Sequence, residues 1–181
     1  LLPGVVAVLI DFGAFKGEIG ETRRWAWSGE LPPLESGGEE IPFAGPVEVA
    51  VEVTATGPGS FWLEGRARGS VVLTCSRCLE RFAHPIEVTL AETCKMVAQE
   101  GTGGGDWLPV RGEVLDLRPE LAREFFAALP MKPLCRPDCP GLCPACGRLL
   151  EAGACGCRRE EIDPRLAALR ELLRDREDGS R

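Results

Sequence analysis

Valine recurs at every second position from Val47 to Val53, with Glu48, Glu52 and Thr54 on the alternate positions. A period of two is that of a strand with one face buried and one face wet. Gly57-Pro58-Gly59-Ser60 supplies turn residues, and Phe61 to Thr74 returns as a second strand ending in Val71-Val72-Leu73. Cys75 and Cys78 reverse the chain again. Ile86, Val88 and Leu90 then fall in step on a third strand, Phe82 to Leu90. The stretch up to about residue 95 therefore predicts antiparallel β structure, with Val5 to Ile10 and the region of Trp25 and Trp27 as further strands.

The pattern changes after residue 100. Gly101-Thr-Gly-Gly-Gly105 reads as a linker, because no Gly-Lys-Ser/Thr follows it and no helix opens there. Asp116 can cap a helix running to about Leu129, with Leu117, Leu121, Phe125, Ala128 and Leu129 on its buried stripe and Pro130 and Pro133 beyond it. Asp163-Pro164 is a capped start for a last helix, whose apolar face is Leu166, Leu169, Leu172 and Leu173. The expected class is α+β: an antiparallel, barrel-like β-sheet domain, then helices and a cysteine-rich, zinc-binding tail. The expected divisions are 1–99 for the β domain, 100–130 for linker and helix, 131–159 for the zinc-binding segment and 160–181 for the closing helix. No internal repeat of useful length is visible.

Cysteine carries the chemistry. Eight of the nine cysteines cluster as Cys75 and Cys78, then Cys135, Cys139, Cys143, Cys146, Cys155 and Cys157. A structural zinc ion takes four soft donors at about 2.3 Å, and a two-residue gap lets both sulfurs of a pair point inward from one turn. Cys143-Pro-Ala-Cys146 is such a turn, with Gly147 free to take a positive φ, and Cys155-Gly-Cys157 returns two further ligands. Cys75, Cys78, Cys135 and Cys139 are two half sets, expected to share a second zinc; the rival is one tail zinc with Cys75 and Cys78 as thiols. Cys94 has no close partner and is expected to be an unliganded, partly buried thiol. A disulfide framework fits less well, because nine is an odd count and Cys155 and Cys157 are too close for separate unstrained bridges.

Charge refines the picture only modestly. The net charge is −7, and Arg outnumbers Lys by 18 to 3. The segments 61–99 and 131–159, which hold the clustered cysteines, carry +1 and +3, whereas residues 1–60 carry −6. Each four-thiolate zinc site itself has a formal charge of −2, so the local basic excess is smaller than these sums. The net charge argues against a generic nucleic-acid coat, and a modest basic face remains the expectation. Leu1 to Ile10 is apolar, but no basic residue precedes Lys16, and ten residues are short of the about 20 that span a bilayer. The expectation is a soluble, cytoplasmic chain without membrane contact.

Four separated motifs carry a resemblance. Val-Leu-Thr-Cys-Ser-Arg-Cys-Leu-Glu-Arg-Phe (72–82), Gly-Glu-Val-Leu-Asp-Leu (112–117) before a helix ending in Leu-Pro, Cys-Pro-Gly-Leu-Cys-Pro-Ala-Cys-Gly (139–147) with Cys155-Gly-Cys157, and Ile-Asp-Pro-Arg-Leu-Ala-Ala-Leu (162–169) resemble the YceD family of large ribosomal RNA subunit accumulation proteins. The resemblance spans about residues 47–175. It implies a ribosome-biogenesis factor supporting accumulation or maturation of large-subunit (23S) ribosomal RNA, with that RNA precursor or ribosomal proteins as partners. It supplies no catalytic residues.

The residues themselves offer few catalysts. His84 is the only histidine, and Pro85 follows it, so no nucleophile–base arrangement is recognisable. No enzyme activity and no small-molecule substrate are expected. Arg77, Arg81, Arg136, Arg148, Arg158 and Arg159 are candidate RNA contacts, since a guanidinium can hold phosphate with two donors and stack on unpaired bases. Solvation or pairing with nearby Glu is the competing role for each. The alternatives to the RNA factor are a metal or redox protein that uses the cysteine pairs, and a protein-binding module without direct RNA contact. The first lacks the βαβ context of thiol oxidoreductases; the acidic amino-terminal half would suit the second.

Overall fold

The computed structural model describes residues 7–16, 18–97, 107–150 and 155–157. The strands are β1 (Leu9–Asp11), β2 (Thr22–Gly29), β3 (Leu34–Ser36), β4 (Glu39–Ile41), β5 (Val47–Gly57), β6 (Ser60–Thr74), β7 (Arg81–Val97), β8 (Leu108–Arg111) and β9 (Val114–Asp116), followed by helix α1 (Arg118–Ala127). Five of them form the main sheet in the order β2-β5-β6-β7-β8. The other strands form two small ribbons, β1 with β9 and β3 with β4.

Alternation fixes the faces of the main sheet. Val47, Val49, Val51 and Val53 of β5 are buried, as are Phe61, Leu63, Ala67, Val71 and Leu73 of β6 and Ile86, Val88 and Leu90 of β7. Ile10 from β1 and Leu117, Leu121 and Phe125 at and in α1 cover this face and join the same core. Each buried Val, Leu or Phe side chain contributes about 1.5–3 kcal/mol relative to exposure. Aromatic edges complete the seal: Phe12 meets Phe61 at 4.7 Å between ring centres, and Phe43 meets Phe125 at 5.3 Å. A methyl group at Gly65 would lie 2.5 Å from the Ala50 carbonyl oxygen and 2.6 Å from a Val51 methyl. Only glycine allows β5 and β6 to run this close here.

Three expectations need correction. The sheet is open rather than barrel-like, because its end strands β2 and β8 do not pair with each other among the described residues. It is also mixed: β8 runs parallel to β7, matching Cys94 to Leu108 and Val97 to Arg111. Pro109 in β8 has no N–H for a ladder and accordingly sits on the terminal strand. Helix is scarce, since α1 is the one α-helix among the described residues. It begins at Arg118 with Leu117 as cap residue, and Asp116 still accepts the Arg118 N–H at 2.9 Å. Ala128 lies past its end and is exposed. The expected linker 101–105 and closing helix after Asp163 lie outside the described residues.

By contacts the chain divides into two compact units, Leu1–Pro137 and Asp138–Arg181. The strands and α1 belong to the first. In the second, the described residues form a tight turn closed by an antiparallel bridge between Leu142 and Leu149. Among the described residues no helix is long and apolar enough to cross a membrane.

Candidate metal centres

Thr74 and Arg81 are the last paired residues of the β6–β7 hairpin, and six residues close it. The Cys75 N–H donates to the Glu80 carbonyl at 2.9 Å, and the Leu79 N–H donates to the Cys75 carbonyl at 3.0 Å. This knot requires Leu79 to adopt φ +63°, a left-handed conformation that side-chain-bearing residues avoid. The turn after Leu142 has the same construction. Cys143 N–H donates to the Arg148 carbonyl at 2.8 Å, Gly147 N–H donates to the Cys143 carbonyl at 2.8 Å, and Gly147 has φ +69°. The sequence shows no repeat, yet the backbone repeats. Each turn sets two cysteines three positions apart, so that both sulfurs face one side.

The hairpin turn meets the segment that follows α1. Ser76 N–H donates to the Pro133 carbonyl at 2.9 Å, and Arg77 Nη1 donates to the Pro137 carbonyl at 3.3 Å. Cys135 is thereby held with its Sγ 3.8 Å from that of Cys78. The ligand atoms of Cys75, Cys78, Cys135 and Cys139 all lie within 4.8 Å of one another, and the same holds for Cys143, Cys146, Cys155 and Cys157. In the second group the Cys155 and Cys143 sulfurs are 3.2 Å apart.

These spacings suit a tetrahedral thiophilic cation. Ligands at about 2.3 Å from a tetrahedral zinc are separated by about 3.8 Å, whereas a disulfide needs about 2.05 Å. Electrostatics agree. Burial raises the Cys75 thiol, but the backbone N–H groups of Cys135, Cys78 and Arg77 outweigh it and bring it down to about 6. The backbone N–H of Cys146, the Cys155 sulfur and the Ala145 N–H likewise bring Cys143 down to about 6. Cys157 is pushed the other way, to about 12, by the sulfurs of Cys146 and Cys155 and by burial. Crowded thiolates repel unless a cation sits among them. Both tetrads could therefore hold zinc, with no donor wasted and no position left for water.

The other sites expected from sequence are distributed as follows. Cys94 is fully buried rather than partly buried, belongs to neither group, and has its thiol pushed up to about 12 by burial and by Glu92 and Glu120. His84 is half-buried on β7, opposite Val71, with its ring edge-on to Phe82 at 6.2 Å. Arg77 lies inside the first turn, and Arg148 is exposed immediately after the second. Arg136 is half-buried next to Cys135. Arg81 opens β7 and lines a cavity of about 500 Å³ together with Glu30 and Glu40. Arg158 and Arg159 lie outside the described residues.

One cluster was missed by the sequence reading. Glu92 on β7 and Glu120 and Glu124 on α1 converge. Arg123 fills the cluster, bridging Glu92 at 2.9 Å, Glu124 at 3.3 Å and also Glu120. A guanidinium already supplies the cation, so the cluster fastens α1 to β7 rather than offering a metal site. The i, i+4 spacing of Glu120 and Glu124 was visible; their meeting with Glu92 was not.

The described residues thus present an open, mixed sheet and two four-cysteine groups, each of which could hold a metal ion. The chain belongs to the YceD family, described as the large ribosomal RNA subunit accumulation protein YceD, which it matches over residues 63–173. That match starts within β6, later than Val47, where the motif resemblance begins. Over 120 residues the chain is 38% identical to the uncharacterized protein Rv2926c of Mycobacterium tuberculosis, covering 65% of this chain and 58% of the relative. It is 26% identical over 112 residues to the uncharacterized protein YlbN of Bacillus subtilis, covering 61% of this chain and 65% of that one. The match thus takes in less than two thirds of either relative's length. No solved structure matches.

Proposed function

We propose that the protein is a non-enzymatic ribosome-biogenesis factor that supports accumulation and maturation of large-subunit ribosomal RNA, braced by two structural zinc ions. The observation that carries this reading is the family match over residues 63–173. The two thiolate turns supply its physical side. Cys143, Cys146, Cys155 and Cys157 hold one ion, and Cys75, Cys78, Cys135 and Cys139 hold the other. Bound zinc neutralises the thiolates and cross-links short segments that bury too little apolar surface to order themselves. The cytoplasm, which keeps thiols reduced, is the compartment where such sites persist.

The turns also present arginine. Arg77 lies between the ligands of the first, and Arg148 follows the ligands of the second, so metal ligation fixes the backbone from which each guanidinium projects. With Arg136, Arg158 and Arg159 they form the proposed contact to precursor RNA. Ultraviolet crosslinking in cells, followed by sequencing of the attached RNA, tests the reading. Recovery of large-subunit precursor sequences supports it, and loss of that recovery when Arg148, Arg158 and Arg159 are changed together to Glu assigns the contact. Crosslinks only to ribosomal proteins would replace RNA with protein as the direct partner.

A further inference from the structure

The two cysteine groups are not equally protected. In the first, Cys75, Cys78 and Cys139 are buried and Cys135 alone is exposed. In the second, Cys143 alone is buried; Cys146 is exposed, and Cys155 and Cys157 are half-exposed. Their frames differ as well. The first turn closes two long strands that stay paired from Ser60 with Lys95 to Thr74 with Arg81. The second is closed by the isolated Leu142–Leu149 bridge.

We propose that the second group is a peroxide-releasable zinc site, while the first is a permanent one. The inference rests on the two-zinc reading. Oxidation of a thiolate follows its accessibility to the oxidant, and disulfide formation then needs a second thiolate that can move into contact. Cys146 offers the first step: its sulfur attacks one oxygen of hydrogen peroxide, an S–O bond forms, the O–O bond breaks and hydroxide leaves. A neighbouring thiolate of the same group then attacks the Cys146 sulfur; the S–S bond forms, the S–O bond breaks and a second hydroxide leaves. Two thiolates have given up two electrons, peroxide has become two hydroxides, and two of the four ligands are gone. Three accessible cysteines whose sulfurs lie within 4.8 Å of one another permit this sequence. In the first group Cys135 can meet peroxide, but its possible partners Cys75, Cys78 and Cys139 are all buried, and the hairpin anchors the first two, so the second step is obstructed.

The device makes the second unit's turn conditional on a reducing environment while leaving the sheet and its hairpin site intact. The test uses the full chain loaded with zinc, treated with hydrogen peroxide in the presence of a colorimetric zinc chelator, with disulfides located by peptide mass spectrometry. The expected result is loss of one zinc equivalent and retention of the other, with the new disulfide drawn from Cys143, Cys146, Cys155 and Cys157. Cys75→Ser protein, which keeps only the second site, should release its single equivalent in the fast phase. Two equivalents leaving at one rate, or a first disulfide that includes Cys75 or Cys78, overturns the inequality alone. Fewer than two equivalents before oxidation overturns the two-zinc reading and this inference with it.

Discussion

The Cys78 and Cys135 sulfurs stand 3.8 Å apart although the two residues are 57 positions apart in the chain. That distance matches the edge of a zinc–thiolate tetrahedron, about 3.8 Å, and it is set by the backbone. The hairpin turn accepts the post-helix segment through the Ser76–Pro133 hydrogen bond at 2.9 Å, independently of any sulfur. Closing so long a loop has an entropic cost that rises only slowly with length, so one metal cross-link here restricts much of the unfolded chain.

Leu79 should tolerate glycine and reject proline. Its φ of +63° and its N–H bond to Cys75 shape the first turn. Proline fixes φ near −65° and has no N–H, so Leu79→Pro removes both features. The expected outcome is loss of one zinc equivalent in Leu79→Pro and none in Leu79→Gly, read by metal analysis of purified protein. Equal metal content in the two variants would show that the turn does not need this conformation.

Gly65→Ala should destabilise the sheet. Its new methyl group would sit 2.5 Å from a carbonyl oxygen of the neighbouring strand, and overpacking of this kind costs about 1–3 kcal/mol. The midpoint of urea unfolding should fall while zinc content stays constant. An unchanged midpoint would mean that β5 and β6 separate here without cost.

Much of this fold was legible because one residue type alternates so cleanly along β5, and its register then dictates β6 and β7. The four-residue strand β8 gave no such signal, since Leu108-Pro109-Val110-Arg111 does not alternate and its pairing with β7 is long-range. The local cysteine group was readable from spacing. The grouping of Cys75 and Cys78 with Cys135 and Cys139 followed only from two half sets needing each other. Leu79 was not readable, because a bulky residue in the left-handed region is a poor bet where Gly147 is the natural choice. The Glu92–Arg123 contact depends on where α1 docks, which side-chain pattern along either element does not specify.

Asp116 should contribute to acid sensitivity. Hydrogen bonds from the Arg118 side chain hold its carboxyl below the ordinary value of 3.8, against the opposing effect of burial. A depressed folded value means that its contribution is complete above the unfolded value and is lost as pH falls through the folded one. Asp116→Asn should therefore lower stability near neutral pH, and the gap from the parent should shrink below about pH 4 as the parent's own carboxylate is protonated. A gap that stays constant down to the lowest pH would assign the effect to something other than this charge.

Cys94 should be the last cysteine to react. It is fully buried in β7, and its thiol is pushed up to about 12, so almost no thiolate exists near neutral pH. After zinc is removed by a chelator under native conditions, iodoacetamide should label the eight clustered cysteines before Cys94. Early labelling of Cys94, located by peptide mass, would show that metal loss opens the sheet itself.

The central claim is that the hairpin pair and the post-helix pair share one ion. Zinc content of purified Cys75→Ser protein, measured beside the parent, tests it most directly. The account predicts two equivalents in the parent and one in the variant, with the local group of Cys143, Cys146, Cys155 and Cys157 retaining the remaining ion. A folded Cys75→Ser protein that keeps the parent's metal content would contradict it.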